Sequence, residues 1–256
     1  MHVRRRHFVT RISPLLLVLS LVASTGIASE ADCRACGFCT GKKDIADDIT
    51  ERLNRYIAQG KSAEWIARRE GGTSIIHTPI GRWANRHSEA VSPDPNIIKY
   101  KGSGLPQCRF FHSFERSVMI NGVCLGTDKL SHVFQQGWEY YKISVRDGKG
   151  DLLAERYGEW LEGKELKEAY ATDESYFRQQ LSGGWVSYGR YGRNASGVIS
   201  HADLAANRAG LQMYKDIANG RFKNFSDYVS PDFCEEVNLN DYSPRMKKIV
   251  ERNGRK

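Results

Sequence analysis

Ile45, Ile49, Leu53 and Tyr56 recur at intervals of three and four, which places them on one side of a helix over residues 43–58. Residues 62–69 predict a short second helix, ended by Gly71-Gly72. From 73 to 107 the periodicity breaks, with prolines at 79, 93, 95 and 106, so this reads as a long irregular stretch with one strand over 74–77. Val118-Met119-Ile120 and Val123-Cys124 flank Asn121-Gly122, and Asn-Gly between apolar residues signals a type I′ hairpin. Leu130, Val133, Phe134, Trp138 and Tyr141 share one side of a helix over 127–141, with Thr127 or Asp128 as its cap. Leu153, Tyr157, Trp160 and Leu161 point inward from a helix over 151–169, and Glu155, Glu159 and Glu162 face away. Residues 182–198, rich in Gly, Ser, Tyr and Trp, suit an ordered loop or lid. Ser200 opens a last long helix over 200–214, and 244–251 predicts one more short helix. The expected class is mainly α, with a minor β-hairpin, long irregular loops and no internal repeat.

Residues 1–29 read as an address rather than as part of that fold. Arg4, Arg5, Arg6 and Arg11 precede an apolar run from Leu15 to Ile27, and small residues follow before Glu30. This is the layout of a secretory signal peptide. The expectation is export to the periplasm or the exterior, with residues 30–256 forming one mainly helical domain whose core lies in 110–220. No other stretch is long and apolar enough to cross a membrane, so the mature chain is expected to be soluble. The formal charge of +8 owes much to the leader, since without its four arginines it falls to about +4. Basic clusters occur only at 245–248 and 252–256, which excludes a concentrated nucleic-acid patch and leaves at most peripheral contact with anionic envelope surfaces. Six cysteines, Cys33, Cys36, Cys39, Cys108, Cys124 and Cys234, predict three disulfides in an oxidising compartment. Neighbours at i,i+3 rarely meet disulfide geometry, so the partners of Cys33, Cys36 and Cys39 should be the later cysteines. The Cys-x-x-Cys-x-x-Cys run also matches an iron–sulfur or zinc pattern, but an exported cluster would need a fourth ligand.

Two helices carry the candidate chemistry. Opposite the apolar side of helix 127–141, Asp128, His132, Gln135 and Glu139 fall in a narrow stripe of residues that bind metals and move protons. In helix 200–214 the apolar arc brackets Asp203, with Asn207, Gly210 and Tyr214 beside it, while His201, Arg208, Gln212 and Lys215 take the wet side. A buried carboxylate needs a cation, a donor or a metal. Lys129 and His132 are the natural neutralising groups, with Asp128 and Glu139 completing the set. Side-chain atoms of His132 and Asp203 are therefore expected within about 6 Å. Ser200 caps the helix, and Gly210 allows close approach of a backbone or ligand.

The segments DKLSH at 128–132 and SHADLAANRAG at 200–210 resemble a pattern of VanZ-like proteins and of small exported bacterial envelope proteins, an Asp-Lys-x-x-His helix start followed by Ser-x-x-Asp-Leu-x-x-Asn-x-x-Gly. The resemblance covers about a third of the chain. It implies Asp128, Lys129, His132, Ser200, Asp203, Asn207 and Gly210 as site positions, with a glutamate from the intervening helix: Glu155, Glu159 or Glu162. It implies no chemistry, and the transmembrane helices of VanZ-like proteins are absent here. Two readings follow. In the first, the chain is an envelope hydrolase. His132, Asp203 and Glu139 are its acid–base groups, or Asp128, His132 and Asp203, with His201 in support, hold a divalent metal. In this reading Lys129, Asn207, Gly210 and Ser200 form the binding wall, and the substrate is peptidoglycan or a lipid-linked precursor. In the second, a non-catalytic envelope protein uses the same centre as a hydrogen-bond network that sets helix register.

Overall fold

A computed structural model of the chain describes residues 39–72, 78–92, 116–165, 173, 176–177, 188–189, 192–194, 196–235 and 237–254. Helix α1 (Ala46–Ala58) buries Ile49 and Leu53, two of the residues whose spacing predicts it. Asp44 sets its start: Oδ1 accepts from the Ala46 N–H at 2.8 Å, and Oδ2 accepts from the Gly122 N–H at 2.9 Å, so one carboxylate ties α1 to the hairpin turn. Helix α2 begins at Ala63–Ile66 behind the Ser62 cap and continues through a π turn at Ala67–Gly71. Helix α3 (Pro79–Asn85) stands where the sequence reads as irregular. Pro79 starts this helix rather than breaking it, because its missing N–H falls in the first turn and Thr78 caps the Gly81 N–H at 3.0 Å.

Strands β1 (Ser117–Ile120) and β2 (Val123–Gly126) pair antiparallel from Ser117↔Gly126 to Ile120↔Val123. Asn121 and Gly122 both take positive φ, 52° and 72°, as a type I′ turn requires. Cys39 is bonded to Cys124 on β2, which staples the described start of the chain to the hairpin. Cys234 is also disulfide-bonded. Cys33, Cys36 and Cys108, the strand over 74–77 and most of the 182–198 loop lie outside the described residues.

Helix α4 runs without a break through Thr127–Ser131, His132–Gln136, Gly137–Tyr141 and Lys142–Arg146, the second and fourth segments being π turns. A π turn carries an extra residue, so positions beyond it fall behind an ideal helical wheel. Helix α5 (Asp151–Glu162) ends before Gly163, whose φ of 90° is the left-handed stop expected of glycine. Its predicted continuation is therefore cut short, and 166–169 lie outside the described residues. Strand β3 (Val198–Ile199) leads through the Ser200 cap into helix α6 (His201–Ala218). Strand β4 (Asp241–Tyr242) pairs with β3, and helix α7 (Pro244–Gly254) buries Met246 and Ile249.

Helices α4 and α6 form the centre of the molecule. They cross where Gly137 meets Gly210: a Cβ on Gly210 would lie 2.7 Å from the Gly137 Cα and closer still to the Val133 carbonyl. The Tyr214 hydroxyl donates to the Phe134 carbonyl at 2.7 Å, inside the first π turn of α4. On one side of the crossing, Val133, Phe134, Met213 and Tyr214 join α1, α2 and α3 in a core; on the other, Tyr140 and Leu211 pack with Tyr157, Trp160 and Phe177. Among the described residues no helix is long and apolar enough to cross a membrane.

Candidate functional site

The first turns of α4 and α6 bring their acidic residues together. Asp128 lies in the first turn of α4 and Asp203 in that of α6, where the partial positive charge of a helix start favours a carboxylate. Between them stands Lys129, 0 % exposed. Its ammonium donates to Asp128 Oδ2 at 2.9 Å and to Glu235 Oε1 at 3.3 Å. It also lies 2.8 Å from Asp203 Oδ1, a charge contact whose angles fall outside a hydrogen bond. Three carboxylates thus share one buried cation. The second oxygen of Glu235 accepts from Asn240 Nδ2 at 2.8 Å.

His132 continues the network toward solvent. Its Nε2 lies 3.4 Å from Asp203 Oδ2, and its Nδ1 is 3.0 Å from Asn207 Oδ1. Both ring nitrogens therefore face protein oxygens. The His132 side chain keeps 17 % of its surface exposed, against 5 % for Asp203. Asn207 Nδ2 lies 3.4 Å from the Tyr140 hydroxyl, which rests against Gly158 of α5. Burial pushes the Tyr140 hydroxyl above its ordinary range. Ser200 Oγ accepts from the Asp203 N–H at 3.1 Å, so this hydroxyl serves as the predicted cap.

Of Glu155, Glu159 and Glu162, the structure brings Glu162 to this centre. Only 2 % of it is exposed, although its position on the α5 wheel predicts an outward side chain. The returning chain is the reason: the Arg193 N–H donates to the Glu162 carbonyl at 2.8 Å, Gly192 packs on its carboxyl, and the Ser200 N–H donates to that carboxyl. Burial first, and the charge of Asp203 next, hold the Glu162 carboxyl well above the usual carboxylate range, against the opposing pull of the Ser200 N–H and Lys129, with Glu235 adding the least. The unfolded chain releases this proton near pH 4–5, roughly, whereas the folded protein retains it. Folding therefore takes up a proton, and this group's contribution to stability falls as pH rises above the ordinary carboxylate range. Glu162→Gln, neutral at every pH, should flatten the descent of melting temperature between pH 5 and 8 and raise its high-pH end. Parallel curves for parent and variant would mean that Glu162 is ionised in the folded protein.

Other predicted positions fall elsewhere. Glu139 follows the first π turn, pairs with Lys142 at 2.6 Å, and lines a cavity of about 90 Å³ with Arg146, Asp147 and Tyr176. Its ion pair is with Lys142 rather than with His132 or Asp203. His201 faces outward and pairs with Asp241 at 3.0 Å. The close approach that Gly210 permits is that of α4 backbone, not of a ligand. Among the described residues no group of three or more His, Cys, Asp or Glu side chains is disposed to hold an ion. The Lys129 ammonium takes the place among Asp128, Asp203 and Glu235 that a cation would need.

Sequence reasoning missed Glu235 and Asn240, which belong to an irregular segment with no periodicity to mark a buried face. The one available signal was Cys234, since a disulfide cysteine holds its neighbour close to the body. Comparison of the chain with protein-family models, with curated proteins and with solved structures gave no match.

Proposed function

We propose that this is an exported, non-catalytic protein of the cell envelope, in which the Lys129 centre locks α4, α5, α6 and the segment around Glu235 into one arrangement. The observation that carries this reading is the engagement of His132. Its Nε2 and Nδ1 face Asp203 and Asn207, so in either tautomer the lone pair of the ring points at a protein partner rather than at a substrate. A general base needs that lone pair within reach of the proton it removes. Asp203 is likewise committed, one oxygen to Lys129 and the other to His132. A buried charge network of this kind favours one packing, because any other register would strand buried charge.

Asp203→Asn and His132→Gln test this proposal against the hydrolase. The second reading draws support from one feature, the partly exposed imidazole of His132 backed by a buried carboxylate. In the architectural reading both variants lose about 1–2 kcal/mol, seen as lowered melting temperatures, because each breaks a buried charge-assisted contact. Neither changes the metal content of the purified protein. Unchanged melting temperatures, with loss of bound metal or of hydrolysis of peptidoglycan or a lipid-linked precursor, would establish the hydrolase instead.

A further inference from the structure

The sequence GRWANRHS at 81–88, on and just beyond α3, builds a second feature that owes nothing to the Lys129 centre. Arg82 and Arg86 lie four residues apart on one face, and Trp83 and His87 repeat that spacing beside them. Together with Pro79 and Ser88 they line a cleft of about 520 Å³. Arg82 and Arg86 are exposed, and among the described residues neither has an acidic partner.

The surrounding charges are already committed. Arg52 lies 5.5 Å from the Trp83 ring centroid, held there by the fully buried Glu70, which accepts from its Nε at 2.8 Å and its Nη2 at 3.0 Å. Tyr56 OH donates to the same carboxylate at 2.7 Å. His87 stands edge-on to Trp83 with centroids 5.3 Å apart, and its Nε2 is 3.3 Å from Asp48. Glu89 accepts from the Lys43 N–H. Arg82 and Arg86 are thus the guanidiniums at the cleft without an acidic partner among the described residues, beside a half-buried indole that buried contacts hold in place.

We propose that this cleft binds an acidic saccharide, with its phosphate or carboxylate on Arg82 and Arg86 and a sugar face against Trp83. Guanidiniums match oxyanions through paired N–H donors, and an indole covers the apolar C–H face of a pyranose. The Ser88 hydroxyl at the cleft is suited to sugar hydroxyls.

Calorimetric titration of the whole protein with glucose 1-phosphate, glucuronate, glucose, inorganic phosphate and adenosine monophosphate tests this, with the Trp83 indole N–H followed by NMR. The two acidic sugars should bind and shift that resonance, with glucose and phosphate at least about tenfold weaker. Arg82→Gln/Arg86→Gln should fold with the parental melting temperature and lose at least about tenfold in affinity, the single variants falling between. Phosphate binding as tightly as its sugar ester would reduce the cleft to a bare anion patch and overturn the proposal. Tighter binding of the nucleotide, binding that leaves Trp83 undisturbed, or no binding at all would also overturn it. None of these outcomes bears on the Lys129 centre, whose variants are read by stability.

Discussion

Lys129→Met should destabilise the protein by about 3–5 kcal/mol, the range for removing one partner of a buried charge cluster. Methionine matches the length and volume of the lysine side chain, so the loss is of charge rather than of packing. Asp128, Asp203 and Glu235 are 7 %, 4 % and 1 % exposed, and without the ammonium they would face one another with little access to water. For a domain of this size the melting temperature should fall by about 10 °C or more. Adding Asp203→Asn to Lys129→Met removes one uncompensated charge and should return part of that loss, so the two changes will not be additive. A Lys129→Met protein that melts within a few degrees of its parent would show that the carboxylates find other compensation, and the architectural reading would then fail.

Gly210→Ala should cost about 2–3 kcal/mol, a sign opposite to that of helix propensity. In an exposed helix interior the same change gains about 1 kcal/mol. Here the new methyl group would meet the backbone of α4 at Gly137 and Val133, and backbone cannot swing aside as a flexible side chain can. The helices must separate, which also pulls Asn207 and Asp203 away from His132 one and two turns along α6. Arg208→Ala on the exposed side of α6 is the control and should change stability by less than about 0.5 kcal/mol. Equal stability of Gly210→Ala and its parent, measured by denaturant unfolding, would mean that the crossing is looser than the Gly137–Gly210 contact implies.

Local pattern determined a good deal of this protein. Apolar spacing in 45–56, 130–141, 153–161 and 204–217 marks helices that do form, because a helix hides its own backbone polar groups and needs only one apolar stripe to dock. Asn121-Gly122 specified its turn through backbone conformations that few other residues adopt without strain. Asp203 and Asn207 stood out because they interrupt a buried arc, and an interruption of that kind demands a partner. Lys129 and His132 on the facing helix supply it to Asp203.

The tertiary structure decided the rest. Ideal wheel geometry grouped Glu139 with His132, but the π turn at His132–Gln136 carries an extra residue, and Glu139 ends up paired with Lys142 beside a different cavity. The same wheel turned Glu162 outward, yet its burial is set by Gly192, Arg193 and Ser200 returning over the end of α5, which no periodicity within α5 records. Glu235 reaches Lys129 from 106 positions away, out of a segment with no regular spacing. Pattern reports which side of an element is hidden, because period and backbone conformation are local properties. Which charges share a buried centre depends on contacts between distant segments, and there the residue supplying the balancing charge is chosen by packing rather than by its neighbours in sequence.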